Sequence, residues 1–122
     1  MEEPELERRR YKPGEKIFGQ GEAGDKAYII ESGKVEIAKG NGNAEMIVAT
    51  VNPGSLIGEM ALIDDSPRMA TARAMQATTC VVIPKKVFDR TLRDSSPVLR
   101  IVLSTVMNRL RSEAEANMKS TL

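Results

Sequence analysis

The sequence predicts a mainly β protein, a barrel or jelly roll, that ends in helices. Three observations carry this. Between residues 11 and 84, short apolar runs are punctuated by glycine- and proline-containing turns at near-regular spacing, as in all-β sandwiches and barrels. One of these runs, Val35-Glu36-Ile37-Ala38, alternates apolar and polar residues, the period-two signal of a strand with one buried face. From residue 85 the turns stop and the apolar spacing becomes helical.

Residues 1–10 carry Glu2, Glu3, Glu5 and Glu7 ahead of Arg8, Arg9 and Arg10. Acid first and base last suits a helix dipole, so a short solvated helix or an arm is expected. Lys12-Pro13-Gly14-Glu15 reads as a turn before Lys16-Ile17-Phe18, and Gly19, Gly21 and Gly24 interrupt the next stretch. Ala27-Tyr28-Ile29-Ile30 reads as a strand, Glu31-Ser32-Gly33-Lys34 as a tight turn, and Val35-Glu36-Ile37-Ala38 as a second strand. Gly40-Asn41-Gly42-Asn43 makes a hairpin loop to a strand over residues 46–51, and Asn52-Pro53-Gly54 turns again. A further strand pair is expected at Thr71–Ala74 and Thr79–Ile83. Residues 86–92 have helical spacing, and Ser95-Ser96-Pro97 then starts a helix, with serine as N-cap and proline at the first helical position. That helix should reach about Met118, with Leu99, Leu103, Val106, Leu110 and Ala114 on one apolar stripe. Two readings stay open for the stripe: a face packed on the barrel, or a seam that also meets a partner or lids a ligand. The domain organisation expected is a charged lead-in at 1–10 and one domain at 11–122, with strands to about 84 and helices to about 118.

Composition narrows the function classes. A chain of 122 residues fits one domain with a core of its own. No apolar run approaches a membrane span, and the charged N-terminus lacks a signal peptide's apolar stretch, so a cytoplasmic protein without membrane attachment of its own is expected. The absence of histidine removes histidine-based acid–base and nucleophile systems and nearly all common zinc and non-haem iron sites. The single cysteine, Cys80 in Thr-Thr-Cys-Val-Val-Ile, excludes an internal disulfide and reads as a buried strand residue. Net charge is +1, from 18 basic and 17 acidic residues, which gives no electrostatic footprint for nucleic acid.

One stretch, Pro53 to Thr71, carries chemistry. Gly58 precedes a run of good helix formers, Glu59-Met60-Ala61-Leu62-Ile63. A helix start presents unsatisfied N–H groups, and glycine there admits a ligand to the backbone. Ten residues on, Arg68 follows Ser66-Pro67. Arginine is the favoured partner of phosphate because its planar fork donates two parallel hydrogen bonds. Glu59 beside an anion would repel it and needs another role, for which a ribose hydroxyl fits, with Arg68 close enough to neutralise it. Taken alone, this pattern also fits a surface turn with an ordinary Glu–Arg ion pair.

The whole arrangement resembles the cyclic nucleotide-binding domain family, over about residues 11–118. The matching stretches are Pro13-Gly14-Glu15, Gly21-Glu22-Ala23-Gly24-Asp25, Ala27–Ile30 with Ser32-Gly33-Lys34-Val35, and above all Gly58-Glu59-Met60-Ala61-Leu62 and then Pro67-Arg68-Met69-Ala70-Thr71. The last pair resembles the family's phosphate-binding cassette in register. The resemblance implies a double-stranded, eight-stranded β-roll and two α-helices after it, the last closing over the base. It implies a 3′,5′-cyclic nucleotide as ligand rather than a cofactor, with no metal. Arg68 would pair with the phosphate, amides near Met60, Ala61 and Met69 would cradle it, and Glu59 would accept from the ribose 2′-hydroxyl. Gly58, Ala70 and Thr71 complete the cassette, and Ile37 would line the base.

Departures from the family pattern refine this. Ile57 stands where phenylalanine is frequent. Met69 comes after the arginine where guanine-selective members often have threonine, so cAMP is favoured over cGMP, with Thr71 two residues further on. No aromatic residue lies beyond Phe88, so Leu110 is the first candidate for the base cap, with Arg109 or Arg111 as stacking alternatives. No DNA-binding segment, pore or second roll flanks the sequence, so a lone sensor module or a domain of a larger chain is expected. The function expected is non-catalytic: nucleotide binding shifts the C-terminal helices, which signal to an effector protein or domain, or to a second copy. The alternative is a roll that has lost its ligand and serves as an interaction module. An enzyme of the histidine-ligated β-roll type is disfavoured by the absence of histidine, and Asp64-Asp65 reads as a solvated loop pair.

Overall fold

The computed structural model of the chain describes residues 6–40, 42–63 and 66–120, and only the backbone at 42, 111 and 114–120. Glu2, Glu3, Glu5, Asn41, the Asp64-Asp65 pair and the side chains of Arg111 and Ala114 therefore lie outside the described residues. The chain divides after Lys85 into two compact units.

The first unit is built of eight strands: β1 (Arg8–Tyr11), β2 (Lys16–Phe18), β3 (Lys26–Ser32), β4 (Val35–Lys39), β5 (Met46–Val51), β6 (Leu56–Ile57), β7 (Thr71–Ala74) and β8 (Thr78–Pro84). They form two four-stranded sheets, in the orders β1-β8-β3-β6 and β2-β7-β4-β5, with every pairing antiparallel. This is the expected β-roll. Both sheets feed one core: Phe18, Val35 and Ala72 come from one, and Tyr28, Ile30, Ile57, Cys80 and Val82 from the other. Strict alternation along β8 buries Thr78, Cys80 and Val82 in turn, as a strand with one inward face requires. Cys80 is fully buried, and burial pushes its thiol up to about 11, so it is a core residue rather than a nucleophile. The turn from β3 to β4 depends on Gly33, whose φ of 99° disfavours other residues and where a Cβ would meet Thr78 Oγ1 at 2.3 Å.

Two expectations are corrected. Arg8–Tyr11 is a strand, not a helix or free arm: it pairs with β8 from Arg8 opposite Val81 to Tyr11 opposite Thr78. Main-chain pairing at a sheet edge needs no apolar side chains, and charged residues are common on edge strands, so the order of charges is a poor guide here. β6 is a strand where the sequence gives no sign of one, because two residues are too few to show alternation.

The second unit begins one residue into α1 (Lys85–Arg93) and also holds α2 (Pro97–Ser120). The start signal of α2 acts as expected: the Leu99 N–H donates to Ser96 Oγ at 3.2 Å, with Pro97 at the first helical position. Arg100 Nη1 donates to the Arg93 and Ser95 carbonyls at 2.8 and 2.9 Å, which satisfies acceptors where α1 ends. Leu99, Val106 and Leu110 of the expected stripe are exposed, as are Val98, Ile101 and Val102.

Arg73 on β7 ties the β4–β5 region to the roll. It donates to both carboxylate oxygens of Glu45, at 2.8 and 3.2 Å, and lies 3.8 Å from Glu36 Oε1 on β4. The hydrogen bond from Arg73 holds the Glu45 carboxyl below its ordinary range. A carboxylate with a lower pKa folded than unfolded stabilises above its unfolded pKa, and that stabilisation is lost as pH falls through the folded value. The melting temperature of the wild type should therefore exceed that of Glu45→Gln at neutral pH. The gap should close as pH falls below about 4; a gap that is constant with pH would refute the role given to this pair.

Candidate functional site

The site grows from the chain between β6 and β7. After β6, Gly58 takes a left-handed conformation (φ 71°, ψ 21°) and turns the chain into a single 3₁₀ turn, Glu59–Leu62. The Ala61 N–H donates to the Gly58 carbonyl at 3.1 Å, and the Ile63 N–H to that of Met60 at 3.0 Å. Ala61 and Leu62 are buried and anchor the turn. The run of helix formers thus yields one tight turn rather than an α-helix, and the Ala61 amide is spent closing it.

The returning segment is stitched to the loop between β2 and β3. The Arg68 N–H donates to the Glu22 carbonyl and the Gly21 N–H to the Arg68 carbonyl, both at 2.8 Å. The Gln20 N–H donates to Thr71 Oγ1 at 3.0 Å. The loop itself is braced by Glu22, which accepts from the Gly19 N–H and from Lys16 Nζ, each at 3.0 Å. Its carboxyl is held below the usual range, first by the Gly19 amide and then by Lys16.

Between these segments lies a cavity of about 230 Å³. It brings together Gly58, Glu59, Met60, Ala61, Arg68, Met69, Ala70 and Ile37, eight of the ten residues singled out from the sequence. Thr71 lies outside this lining: it is buried at the start of β7, and its hydroxyl meets the Gln20 amide. Leu110 belongs to the second unit, where it is exposed. The lining also includes Phe18, Leu56, Ile57, Ser66 and Pro67. Nothing in the local sequence of Phe18 marks it as facing a residue so far along the chain, so sequence reasoning misses it.

Arg68 dominates the chemistry. Its residue is only 9% exposed, and it is the one charged residue that is buried among the described residues. Its Nη2 donates to the Lys26 carbonyl at 2.8 Å and its Nη1 to the Gly58 carbonyl at 3.3 Å. Its Cζ stands 4.2 Å from the centre of the Phe18 ring, and Phe18 in turn stacks on Tyr28 at 5.9 Å. Among the described residues its buried Nε has no hydrogen-bond partner. Among the described residues no carboxylate lies within ion-pair distance of it, so the expected neutralisation of Glu59 by Arg68 is not made. Burial pulls the Arg68 pKa down, and Tyr28, Asp25 and Glu22 push it back up; a guanidinium nonetheless stays charged in a protein. The cavity thus contains a positive charge held by neutral carbonyls and an aromatic face, beside the carboxylate of Glu59.

The model of the cyclic nucleotide-binding domain matches residues 8–95. The chain belongs to the cyclic nucleotide-binding domain family. The match begins at β1, which brings into the domain a strand that the charge pattern places in the lead-in. A cAMP-dependent protein kinase regulatory subunit of Mucor circinelloides f. lusitanicus is 38% identical over 97 residues, covering 80% of this chain and 22% of that protein. The catabolite activator protein of Thermus thermophilus superposes with a TM-score of 0.76 at 31% identity, over 93% of this chain and 54% of that one. The EAL enzyme Bd1971, in a halfsite-occupied form, superposes with a TM-score of 0.80 at 29% identity, over 90% of this chain and 99% of that one. That enzyme is known in cGMP-bound and cAMP-bound forms. The chain spans about a fifth of the curated kinase subunit it matches, so the domain alone is what the likeness describes. Among the described residues no group of acidic or cysteine side chains could hold a metal ion, and no helix is long and apolar enough to cross a membrane.

A buried charge held this way contributes little to stability, because a partly satisfied buried ion costs about as much as it returns. Arg68→Met should therefore melt within about 4 °C of the wild type. A fall of more than about 10 °C would mean that Arg68 is a keystone of the fold rather than a residue retained for binding.

Proposed function

We propose that this domain binds a 3′,5′-cyclic nucleotide in the β-roll cavity, with cAMP preferred over cGMP, and that it does so as a non-catalytic sensor. The observation that carries the reading is Arg68: a buried guanidinium, facing a cavity, with no carboxylate partner among the described residues. An exocyclic phosphate is the anion that the family's ligand supplies. The long Nη1 contact to the Gly58 carbonyl, 3.3 Å, is the one most easily exchanged for a phosphate oxygen. Arg68 then forms a charge-assisted hydrogen bond to the phosphate, with the main chain around Gly58, Met60 and Met69 beside it. Glu59, too close to an anion to help bind it, accepts from the ribose 2′-hydroxyl. Ile37, Leu56, Met69 and Ala70 give the base an apolar wall.

Two features support the preference for adenine. The residue after Arg68 that lines the cavity is Met69, which has no hydroxyl to offer a guanine edge. Thr71, the next candidate, has its hydroxyl against the Gln20 amide and does not line the cavity. Leu110 serves as base cap from the C-terminal helix in this reading. Ligand binding then biases the helices of residues 85–118 and passes the signal to an effector protein or domain, or to a second copy. A ligand shifts such an equilibrium only by its differential affinity for the two states.

Isothermal titration calorimetry with cAMP and cGMP, on wild type and Arg68→Ala, tests this. The wild type should bind both, cAMP more tightly. Removing a charge-assisted contact that costs about 2–5 kcal/mol should weaken binding by roughly 30-fold to several thousand-fold. Folded wild type, free of co-purified nucleotide, that binds neither would overturn the reading.

A further inference from the structure

We infer that Gly24 is a positioning residue for Arg68: the absence of a side chain at position 24 leaves the space that the guanidinium occupies. A Cβ built on Gly24 would stand 2.2 Å from Arg68 Nε, 2.4 Å from Cζ and 2.6 Å from Nη2. Separations this short do not occur between real atoms, so a side chain at 24 and the guanidinium in its present place exclude each other. Gly24 does not have the positive φ of Gly14, Gly21, Gly33, Gly40, Gly54 and Gly58. Its backbone would therefore accept alanine, and the demand for glycine is steric: the three heavy atoms nearest a Cβ at this position all belong to the Arg68 guanidinium end. Gly58 differs: a Cβ there would lie 2.7 Å from Arg68 Nη1, but its φ of 71° makes any substitution strained for a second reason.

The rest of the slot explains why displacement matters. The Phe18 ring lies against the guanidinium, with Cζ 4.2 Å from its centre, and the Lys26 carbonyl fixes Nη2 at 2.8 Å. Such a slot fits a flat fork and sets its orientation, which a bidentate partner needs. Arg68 is flexible at its far end, and its main chain is held independently by Glu22 and Gly21. Alanine at 24 should thus push the guanidinium off the Phe18 face and leave the roll intact. It should uncouple nucleotide binding from folding, since Gly24 itself does not line the cavity.

This inference rests on the cyclic nucleotide reading for its functional consequence but not for its geometry, and the experiment separates the two. Gly24→Ala and wild type are compared by calorimetry with cAMP, by thermal melting, and by the NMR shifts of the Arg68 Hδ and Hε protons, which the Phe18 ring current moves upfield. The expected result is a folded variant whose Arg68 signals lose that displacement and whose affinity falls by about tenfold or more, toward that of Arg68→Ala. A variant that binds cAMP within about threefold of wild type overturns the inference. If the wild type binds neither cyclic nucleotide, the functional reading fails by itself. The slot is then judged on the NMR shifts, and their retention in Gly24→Ala overturns it. If Gly24→Ala does not fold, Gly24→Ala/Arg68→Ala decides. Recovery of the stability of Arg68→Ala places the clash on Arg68 as inferred, and failure to recover it assigns glycine some other structural duty and overturns the inference.

Discussion

A guanidinium buried with no carboxylate partner among the described residues is the constraint that the segments around the cavity share. Removing such a charge from water is tolerable only when its donors and its faces are met by the protein. Here the Lys26 and Gly58 carbonyls take two donors and the Phe18 ring takes a face. The Nε, which meets no acceptor among the described residues, marks the arrangement as incomplete in energetic terms. A core charge left partly unmet is hard to rationalise as stabilisation, and easy to rationalise as a charge kept for an anion.

The fold serves this residue from several directions. β3 supplies the Lys26 carbonyl, β2 the Phe18 ring, the turn after β6 the Gly58 carbonyl, and the β2–β3 loop the space at Gly24. The β2–β3 stretch from Phe18 to Lys26 is distant in sequence from Gly58 and Arg68, and the two meet because two antiparallel sheets share one core. Glycine has opposite uses within this arrangement. At Gly58 it permits a left-handed turn, and at Gly24, whose φ is unexceptional, it simply leaves room.

Legibility in the sequence tracks the range of the interaction. Strands β3, β4, β5, β7 and β8 and the Ser96 cap are readable because alternation and capping are local patterns. β1 is misleading because its pairing with β8 is long-range and its charges suggest a helix dipole. The cavity lining is largely legible, since Gly58–Ala61 and Arg68–Ala70 are two short contiguous stretches in a recognisable register. The residues that escape are those whose roles exist only in three dimensions: Phe18 beneath the guanidinium and Gly24 beside it. Thr71 belongs to the motif yet bonds to Gln20 instead of lining the cavity, because motif membership does not fix which way a strand residue faces.

If Arg68 meets the phosphate of a cyclic nucleotide, its side chain must sense the ligand directly. The most direct measurement tracks the Arg68 side-chain NMR resonances, assigned by their disappearance in Arg68→Lys, through a titration with cAMP. These signals should shift and saturate with the same midpoint as the amides of Gly58 to Ala61. Saturable binding that leaves the Arg68 signals unmoved would contradict it, because the charge held in the cavity would then have no part in recognising the ligand.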